Sequence, residues 1–591
     1  MPTPPDRNRP PSAAKPPPPA AGSGPTDDDL LAAVADQPAP LLPALHAFQG
    51  RDGYLSEAAL RAVSSALKIP LAELYGTVSF YHHFAREPGG RDRPRVCTGP
   101  ICAHAGADAL ITTLTQAGLD PAPMPCPGRC DQPVPVLRGD QVLVGTDANT
   151  LAAEPSPLPP VVTADSAADA NQCLLANIRA PERASLAGYR QSGGYQGLER
   201  ALTQDTPAAL RQQIHDSGLA GRGGAGFPTG RKWQAVAEAP GQPKTIVCNA
   251  DEGEPGCFKD RLLMDHDPHA LIEGMIAAGY ATGASQGFIY LRYEYPDTAH
   301  ILARALDEAR GAGLLGDDIL GTGYRFDIHI RRGAGAYVCG EETSLLSSLE
   351  GKHPFPRNRP PFPVTHGYRD LPTVINNVET LAAVGPILQN GAAWYRDLGR
   401  GDHAGTKIIS LSGDIARPGN YEIPLGLPLS TLLYDWAGGP LPGRKIQAVT
   451  MAGLSGGFLA GDDLDVTLDD PSIKALGSFL GAGGVMVFDD RRDMVAVAEN
   501  AMAFFAEESC GKCFPCRIGT QRLVERLGTR PATGPIDETT WRREVNDLGA
   551  TMMATSACGL GQAAPLITES LIRYFPDQVR RHLQNRAAKR A

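Results

Sequence analysis

The sequence has no run of about 18 apolar residues, so a membrane-spanning helix is not expected. Its N-terminus has no apolar core of the kind a secretory leader needs. There is no basic surplus either. The chain has 55 Lys and Arg against 65 Asp and Glu, a net charge of −10, which argues against a nucleic-acid-binding face. No internal repeat is present. A cytoplasmic protein is the default expectation, and a reducing compartment disfavours structural disulfides. The twelve cysteines therefore point to metal ligation or core packing.

What is there reads as a multidomain α/β protein. The chain has 591 residues, enough for about three to five domains. Residues 1–26 form a Pro-rich segment; ten of the first 25 are proline, and a disordered tail is expected. Residues 27–150 open with two helical stretches in which apolar residues recur at three and four. A strand (RPRVCT), a helix and two strand-like runs (VPVLRG, QVLVG) follow, suggesting a unit of thioredoxin-like size. Residues 151–171 read as a linker. In 172–404, strand-like KTIVCNA, GFIYLR and FDIHI alternate with helices, as in an α/β sheet domain. Residues 405–490 contain short strands split by Gly and Pro, and 491–591 are helical.

Two cysteine sets stand out. Cys97 and Cys102 are spaced C-x4-C, and Cys126 and Cys130 are spaced C-x3-C. Both pairs lie in Gly/Pro-rich loops that permit tight turns around a [2Fe–2S] cluster. A zinc site or unrelated free thiols are the alternatives, although zinc favours C-x2-C pairs. Cys510, Cys513 and Cys516 form C-x2-C-x2-C, with Cys558 distant in sequence. That pattern suits three thiolates on one cubane and a fourth from elsewhere, more than any zinc motif. Cys173, Cys248, Cys257 and Cys339 have no paired spacing and read as buried small hydrophobes.

The segment GRGGAGFPTG places Gly221, Gly223, Gly224 and Gly226 beside Arg222, Phe227 and Lys232. The motif follows a helical stretch, so it is not a dinucleotide fingerprint in its usual setting. Its glycines still let backbone N–H groups approach an anion, with a flexible loop as the plain alternative. A second glycine loop runs from Gly333 through Tyr337 and Gly340 to Glu341 and Glu342. Between them, NADEGEPGCFKDR carries Asn249, Asp251, Glu252 and Glu254 after a strand, where acidic side chains suit ribose hydroxyls.

Taken together, GRGGAGFPTGRKW, NADEGEPGCFKDR, GAGAYVCGEETSLLSSLEGK, RPPFP, INNVET and ESCGKCFPC resemble the NADH-oxidising flavoprotein subunit of respiratory complex I over about 200–591. Residues 27–150 resemble that complex's thioredoxin-like [2Fe–2S] partner, here fused in front, and 405–490 resembles the family's ubiquitin-like β-grasp domain. The same module occurs in NAD-reducing hydrogenases and NAD-dependent formate dehydrogenases.

The resemblance implies FMN, NAD(H), one [2Fe–2S] and one [4Fe–4S] cluster, held by the two cysteine sets. It implies that the first glycine loop, Arg222 and Lys232 hold the FMN phosphate. Asn249, Asp251, Glu252, Asn376 and Asn377 would line the flavin. Glu254 and Glu342 would position the nicotinamide side, Tyr337, Gly340 and Glu341 would belong to the cofactor site, and Phe362 would stack on adenine. Arg359 stands where relatives often carry Lys, and Gln234 follows Trp233 where an aromatic is often nearby. The implied chemistry is hydride exchange with NAD(H), with the carboxylates positioning rather than reacting, and single-electron transfer to the clusters. Negative charge at Glu342 would favour NAD over NADP. No molybdopterin, nickel or quinone motif is visible, so the resemblance implies a diaphorase subunit in a hetero-oligomer. The intact N-terminal cysteine set favours a formate dehydrogenase with a large molybdenum or tungsten iron–sulfur subunit. A hydrogenase or complex I is the alternative, and a cluster-binding scaffold without flavin is a further one.

Overall fold

A computed structural model describes residues 24–144, 172–528 and 537–588. The 151–171 linker and nearly all of the Pro-rich segment lie outside the described residues.

Four helices come first: Asp27–Ala35, Leu41–Asp52, Glu57–Leu67 and Leu71–Phe80. Thr26 and Asp29 form a reciprocal capping box on the first, and the Ser56 side chain accepts from the Ala59 amide on the third. Their apolar faces do not cover the nearest sheet in sequence. Leu45, Phe48, Leu60, Val63, Leu74 and Val78 share a core with Val247, Phe288, Tyr290, Leu345 and Leu346, some 200 residues on. Burying each such side chain is worth about 1.5–3 kcal/mol. The His82 and His83 amides also donate to the Gly335 and Ala334 carbonyls at 3.0 and 2.9 Å. The bundle is thus one layer of the central domain.

The first sheet, in order β2-β1-β3-β4, joins β1 (Arg95–Cys97), β2 (Ala122–Met124), β3 (Pro135–Arg138) and β4 (Gln141–Val144). The second is all parallel, in order β7-β6-β5-β8: β5 (Lys244–Ala250), β6 (Ala284–Leu291), β7 (Asp327–Arg332) and β8 (Thr373–Asn377). β5 and β6 are near-continuous apolar runs because both faces are covered. The N-terminal bundle lies on one face. Helices Pro268–Thr282 and Pro296–Gly311 belong to the core on the other. The C-terminal ends of β5 and β8 therefore open at one edge of a three-layer domain, where ligands of parallel sheets bind.

A five-stranded mixed sheet follows, in order β10-β9-β13-β11-β12: β9 (Thr406–Gly413), β10 (Gly419–Pro424), β11 (Ile446–Thr450), β12 (Phe458–Ala460) and β13 (Gly484–Asp489). The C-terminal helices begin at Met494–Glu507 and Phe514–Leu527 and include Glu538–Thr555. They share a core around Trp541, Leu523 and Met552. A Cβ at Gly519 would fall 2.4 Å from the Met552 sulfur, so the methionine packs directly onto the backbone of that helix. No helix among the described residues is long and apolar enough to cross a membrane.

Candidate flavin and cluster sites

The ends of β5 and β8 bring three sequence segments together. Asn249 and Asn377 are register partners across the two strands. A Cβ on Gly223 would lie 2.8 Å from the Asn377 Cβ, so the first glycine loop closes directly onto β8. Gly224 and Gly226 hold φ of +134° and +64°, a backbone that side chains resist. From the other side, Asn249 Nδ2 donates to the Gly340 carbonyl at 2.8 Å, anchoring the second glycine loop. Asn376 accepts from Trp233 Nε1 at 2.9 Å, and Asn377 donates to Asp260 at 2.6 Å.

Arg222 differs from the simplest expectation. Its guanidinium is buried and donates to Thr406 O at 2.9 Å, Ala220 O at 3.0 Å and Tyr395 Oη at 2.9 Å. The side chain is a strut behind the loop, which leaves backbone N–H groups and Lys232 for an anion. Lys232 Nζ donates to Ile375 O at 3.0 Å and sits 3.6 Å from Glu342. Glu342 also pairs with Arg359 at 3.2 Å, and Arg359 reaches Glu341 as well. Glu341 caps helix Glu342–Leu349, accepting from the Thr343 and Ser344 amides at 3.0 and 2.9 Å. Phe227 and Phe362 are 47% and 51% exposed, and the short helices that follow them pack together. Exposed rings are expected where a planar ligand supplies the missing contact.

Glu254 is more occupied than the sequence suggests. Its Oε1 accepts from the Leu454 and Ser455 amides at 2.8 and 3.0 Å. Its Oε2 accepts from the hydroxyls of Ser455, at 2.8 Å, and Tyr337. The carboxylate clamps the acidic loop to the five-stranded domain, and a dinucleotide would reach it only by exchanging one of these bonds. Asp251 is the contrasting case. Its Oδ2 is shut off from solvent with no hydrogen-bond partner, and burial pushes its carboxyl well above the usual range. A polar atom left unpartnered beside Gly340 and Asn249 fits a bound polar group. Glu252 faces inward, accepting from the Asp260 and Arg261 amides at 3.0 and 3.2 Å and the Tyr295 hydroxyl at 2.9 Å.

Both cysteine sets converge. Cys97 ends β1, Cys102 lies on helix Pro100–His104, and Cys126 and Cys130 lie in the loop after β2. All four are buried, Cys126 and Cys130 are 3.3 Å apart, and Cys97 contacts Cys102 and Cys126. The Gly128 amide donates to Cys126 Sγ at 3.4 Å. Cys510, Cys513, Cys516 and Cys558 line one cavity with Val338, Pro356 and Leu560. Val338 adjoins Tyr337, whose amide donates to Glu508 at 2.9 Å, so the second glycine loop walls this cradle. Cys173, Cys248, Cys257 and Cys339 are buried.

Comparison with known proteins matches these parts in order. Residues 214–386 match the family described as Nuo51 FMN-binding domain, and 496–582 the NADH-ubiquinone oxidoreductase-F iron–sulfur binding region. Residues 28–137 match thioredoxin-like [2Fe–2S] ferredoxin, and 408–458 match the SLBB domain. An NADH-quinone oxidoreductase subunit of Rhizobium meliloti is 45% identical over 413 residues, covering 70% of this chain and 98% of its own. The chain belongs to the family of NADH-oxidising FMN and iron–sulfur flavoprotein subunits. The NADP-reducing hydrogenase subunit HndC of Solidesulfovibrio fructosivorans is 43% identical over 402 residues, covering 68% and 81%. A solved NAD+-reducing [NiFe]-hydrogenase chain, in the H2-reduced state, aligns over 92% of both chains with a TM-score of 0.80 at 36% identity.

As a member of this family the chain is an NAD(H)-dependent oxidoreductase subunit with FMN, a [2Fe–2S] and a [4Fe–4S] cluster. Its donors fit these groups: two sets of four convergent thiols, an amide aimed at a thiol sulfur, and an unpartnered buried carboxylate oxygen beside the second glycine loop. Sequence reasoning missed Arg292, Tyr295 and Gly256, which meet the Cys126 carbonyl, Gly128 and the Cys130 sulfur and so join the flavin domain to the first cysteine set. Only the run of aromatic and charged residues closing β6, LRYEY, hints at two of them.

Proposed function

We propose that this chain is the diaphorase subunit of a cytoplasmic NAD-dependent formate dehydrogenase. It would exchange electrons between NAD(H) and a large molybdenum- or tungsten-containing iron–sulfur subunit. The observation that carries this reading is the complete, fully buried N-terminal cysteine set fused in front of an intact flavin module. The whole-length likeness to an NAD+-reducing hydrogenase chain supports a second reading, in which the partner is a nickel subunit. Relatives named as subunits of larger enzymes support a hetero-oligomer under either reading.

When bound, FMN accepts the two electrons of a hydride and yields them singly. The protein supplies the setting. The Gly221 and Arg222 amides are already held by the Phe227 carbonyl and the Thr380 hydroxyl, so the backbone N–H groups of Gly223–Gly226 and the Lys232 ammonium would take the phosphate. Asn249, Asp251 and Asn377 would orient the ring, with Asp251 holding a proton at the carboxyl oxygen that has no other partner. Tyr337 and Glu254, locked to each other, would form the wall on the nicotinamide side and exclude water. Phe362 would stack on adenine, with Phe227 in the same cofactor site and Arg359 beside the diphosphate. Glu342 would disfavour a 2′-phosphate. Unchanged NADPH-to-NADH discrimination in Glu342→Gln would remove it from that role.

The purified native complex tests the assignment. A molybdenum- or tungsten-containing partner, acid-releasable FMN and NADH-driven dye reduction are expected. A nickel partner would overturn the formate reading, and iron-replete protein without FMN or dye reduction would overturn the enzyme reading.

A further inference from the structure

The acidic loop reaches past the flavin side. Beyond Glu252 it runs to Gly256, whose amide donates to Cys130 Sγ at 3.3 Å. Arg261 then grips Asp131 through both carboxylate oxygens, at 3.0 and 3.2 Å. Just past β6, Arg292 is 4% exposed and spans the joint. Its Nη2 donates to the Cys126 carbonyl at 2.8 Å, its Nη1 to the Glu252 carbonyl, and its Nε to the Glu294 carboxylate at 3.1 Å. Part of the outer shell of the first cysteine set, including one amide on a sulfur and the buried cation behind Cys126, is therefore supplied by the flavin domain.

When the [2Fe–2S] cluster takes up one electron it gains one negative charge, with no bond made or broken. Buried positive charge and N–H···S bonds favour the reduced form and raise the potential; buried negative charge does the reverse. Such effects are large where water is excluded. Arg292 is one hydrogen bond from the backbone of a cluster ligand, and Glu294 is its counter-ion.

We propose that Arg292 and Glu294 together set the reduction potential of the [2Fe–2S] cluster, Arg292 raising it and Glu294 lowering it. Both are positioning residues and touch neither the irons nor a substrate. The balance places a property of the thioredoxin-like domain under the control of the flavin domain. Glu294 also lines a cleft with His82, Arg95, Met124, Pro125 and Tyr293, so an isosteric change there has room to settle.

Redox titration of the holoenzyme, following the spectra of both clusters, tests the proposal. The [2Fe–2S] midpoint is expected to fall in Arg292→Gln, to stay near wild type in Arg292→Lys and to rise in Glu294→Gln. The [4Fe–4S] midpoint is the internal reference. Opposite shifts are a signature that loss of packing does not produce. A fully loaded Glu294→Gln protein with an unmoved or lowered [2Fe–2S] midpoint overturns the proposal, even if Arg292→Gln fails to fold.

Discussion

At the cradle of Cys97, Cys102, Cys126 and Cys130 every thiol is buried, and a flavin-domain amide points at one sulfur. At the cradle of Cys510, Cys513, Cys516 and Cys558 only Cys516 is buried. Beside it Phe514 and Ile518 are 66% and 37% exposed. Both cradles present four thiolates, yet one is sealed inside a joint between domains and the other lies near the surface behind the second glycine loop. The contrast suggests a division of roles. The surface cradle suits electron exit to a partner, and the sealed one suits an electron store off the main route.

The largest effect that could break this contrast comes from the ligands themselves. In Cys558→Ser, NADH-driven electron transfer to the partner is expected to fall by more than about 100-fold, since outer-shell losses alone cost roughly 10–100-fold. In Cys126→Ser the [2Fe–2S] signal should vanish while that transfer stays within about three-fold of wild type, a change of under about 1 kcal/mol in barrier. Rapid-mixing spectroscopy of both variants decides it. Equal losses would put both clusters on one obligatory path.

A packing test sharpens the same contrast. Gly128 holds φ +69°, and a Cβ there would fall 2.1 Å from the Tyr295 hydroxyl. Gly128→Ala should cost about 3 kcal/mol through overpacking and left-handed strain. Gly559, next to Cys558, has nothing within 4 Å of such a Cβ. Gly559→Ala opens a helix and should change stability by less than about 1 kcal/mol. Urea-induced loss of each cluster signal measures both.

Much of this arrangement is legible in the sequence, for a physical reason. Most thiolates that share a cluster fall in short, regularly spaced runs, and glycine loops announce close backbone approach, so both loops and all the cysteine pairs and triplets can be read locally, while Cys558 and the joining of Cys97 and Cys102 to Cys126 and Cys130 need the fold. β5, β6 and β7 show as apolar runs between helices. β8 does not, because TVINN ends in two asparagines of low strand propensity. The N-terminal helices advertise an apolar face but not its partner, which lies on a sheet some 200 residues away. Within the site, residue type shows what a side chain can donate or accept but not what already occupies it. Sequence alone makes Arg222 and Glu254 ligand-facing, and the structure engages both with neighbours from the five-stranded domain or its edge. The run LRYEY hints at Arg292 and Tyr295 but not at what they meet, because the Cys126 carbonyl and Gly128 come from another domain.

A smaller effect than the Gly128 substitution is a pH dependence confined to the sealed joint. Burial, with repulsion from Asp260, raises the Glu252 carboxyl to about 7, against 4.5 for an ordinary glutamate. The folded joint therefore holds this proton more tightly than the unfolded chain. Its stabilising contribution is complete below 4.5, is lost as pH rises towards 7, and is flat above that. Between about pH 5 and 7 the loss should be about 2 kcal/mol, at roughly 1.4 kcal/mol per unit. In urea the [2Fe–2S] signal should weaken across this range more than the [4Fe–4S] signal, whose cradle Glu252 does not touch. Glu252→Gln cannot titrate, so it should remove that difference, while its single carbonyl oxygen keeps one of the two acceptor positions, the one facing the Asp260 amide or the one facing the Arg261 amide and Tyr295 hydroxyl. A slope that survives unchanged in Glu252→Gln would assign the titration to another group and leave the contrast between the cradles resting on packing alone.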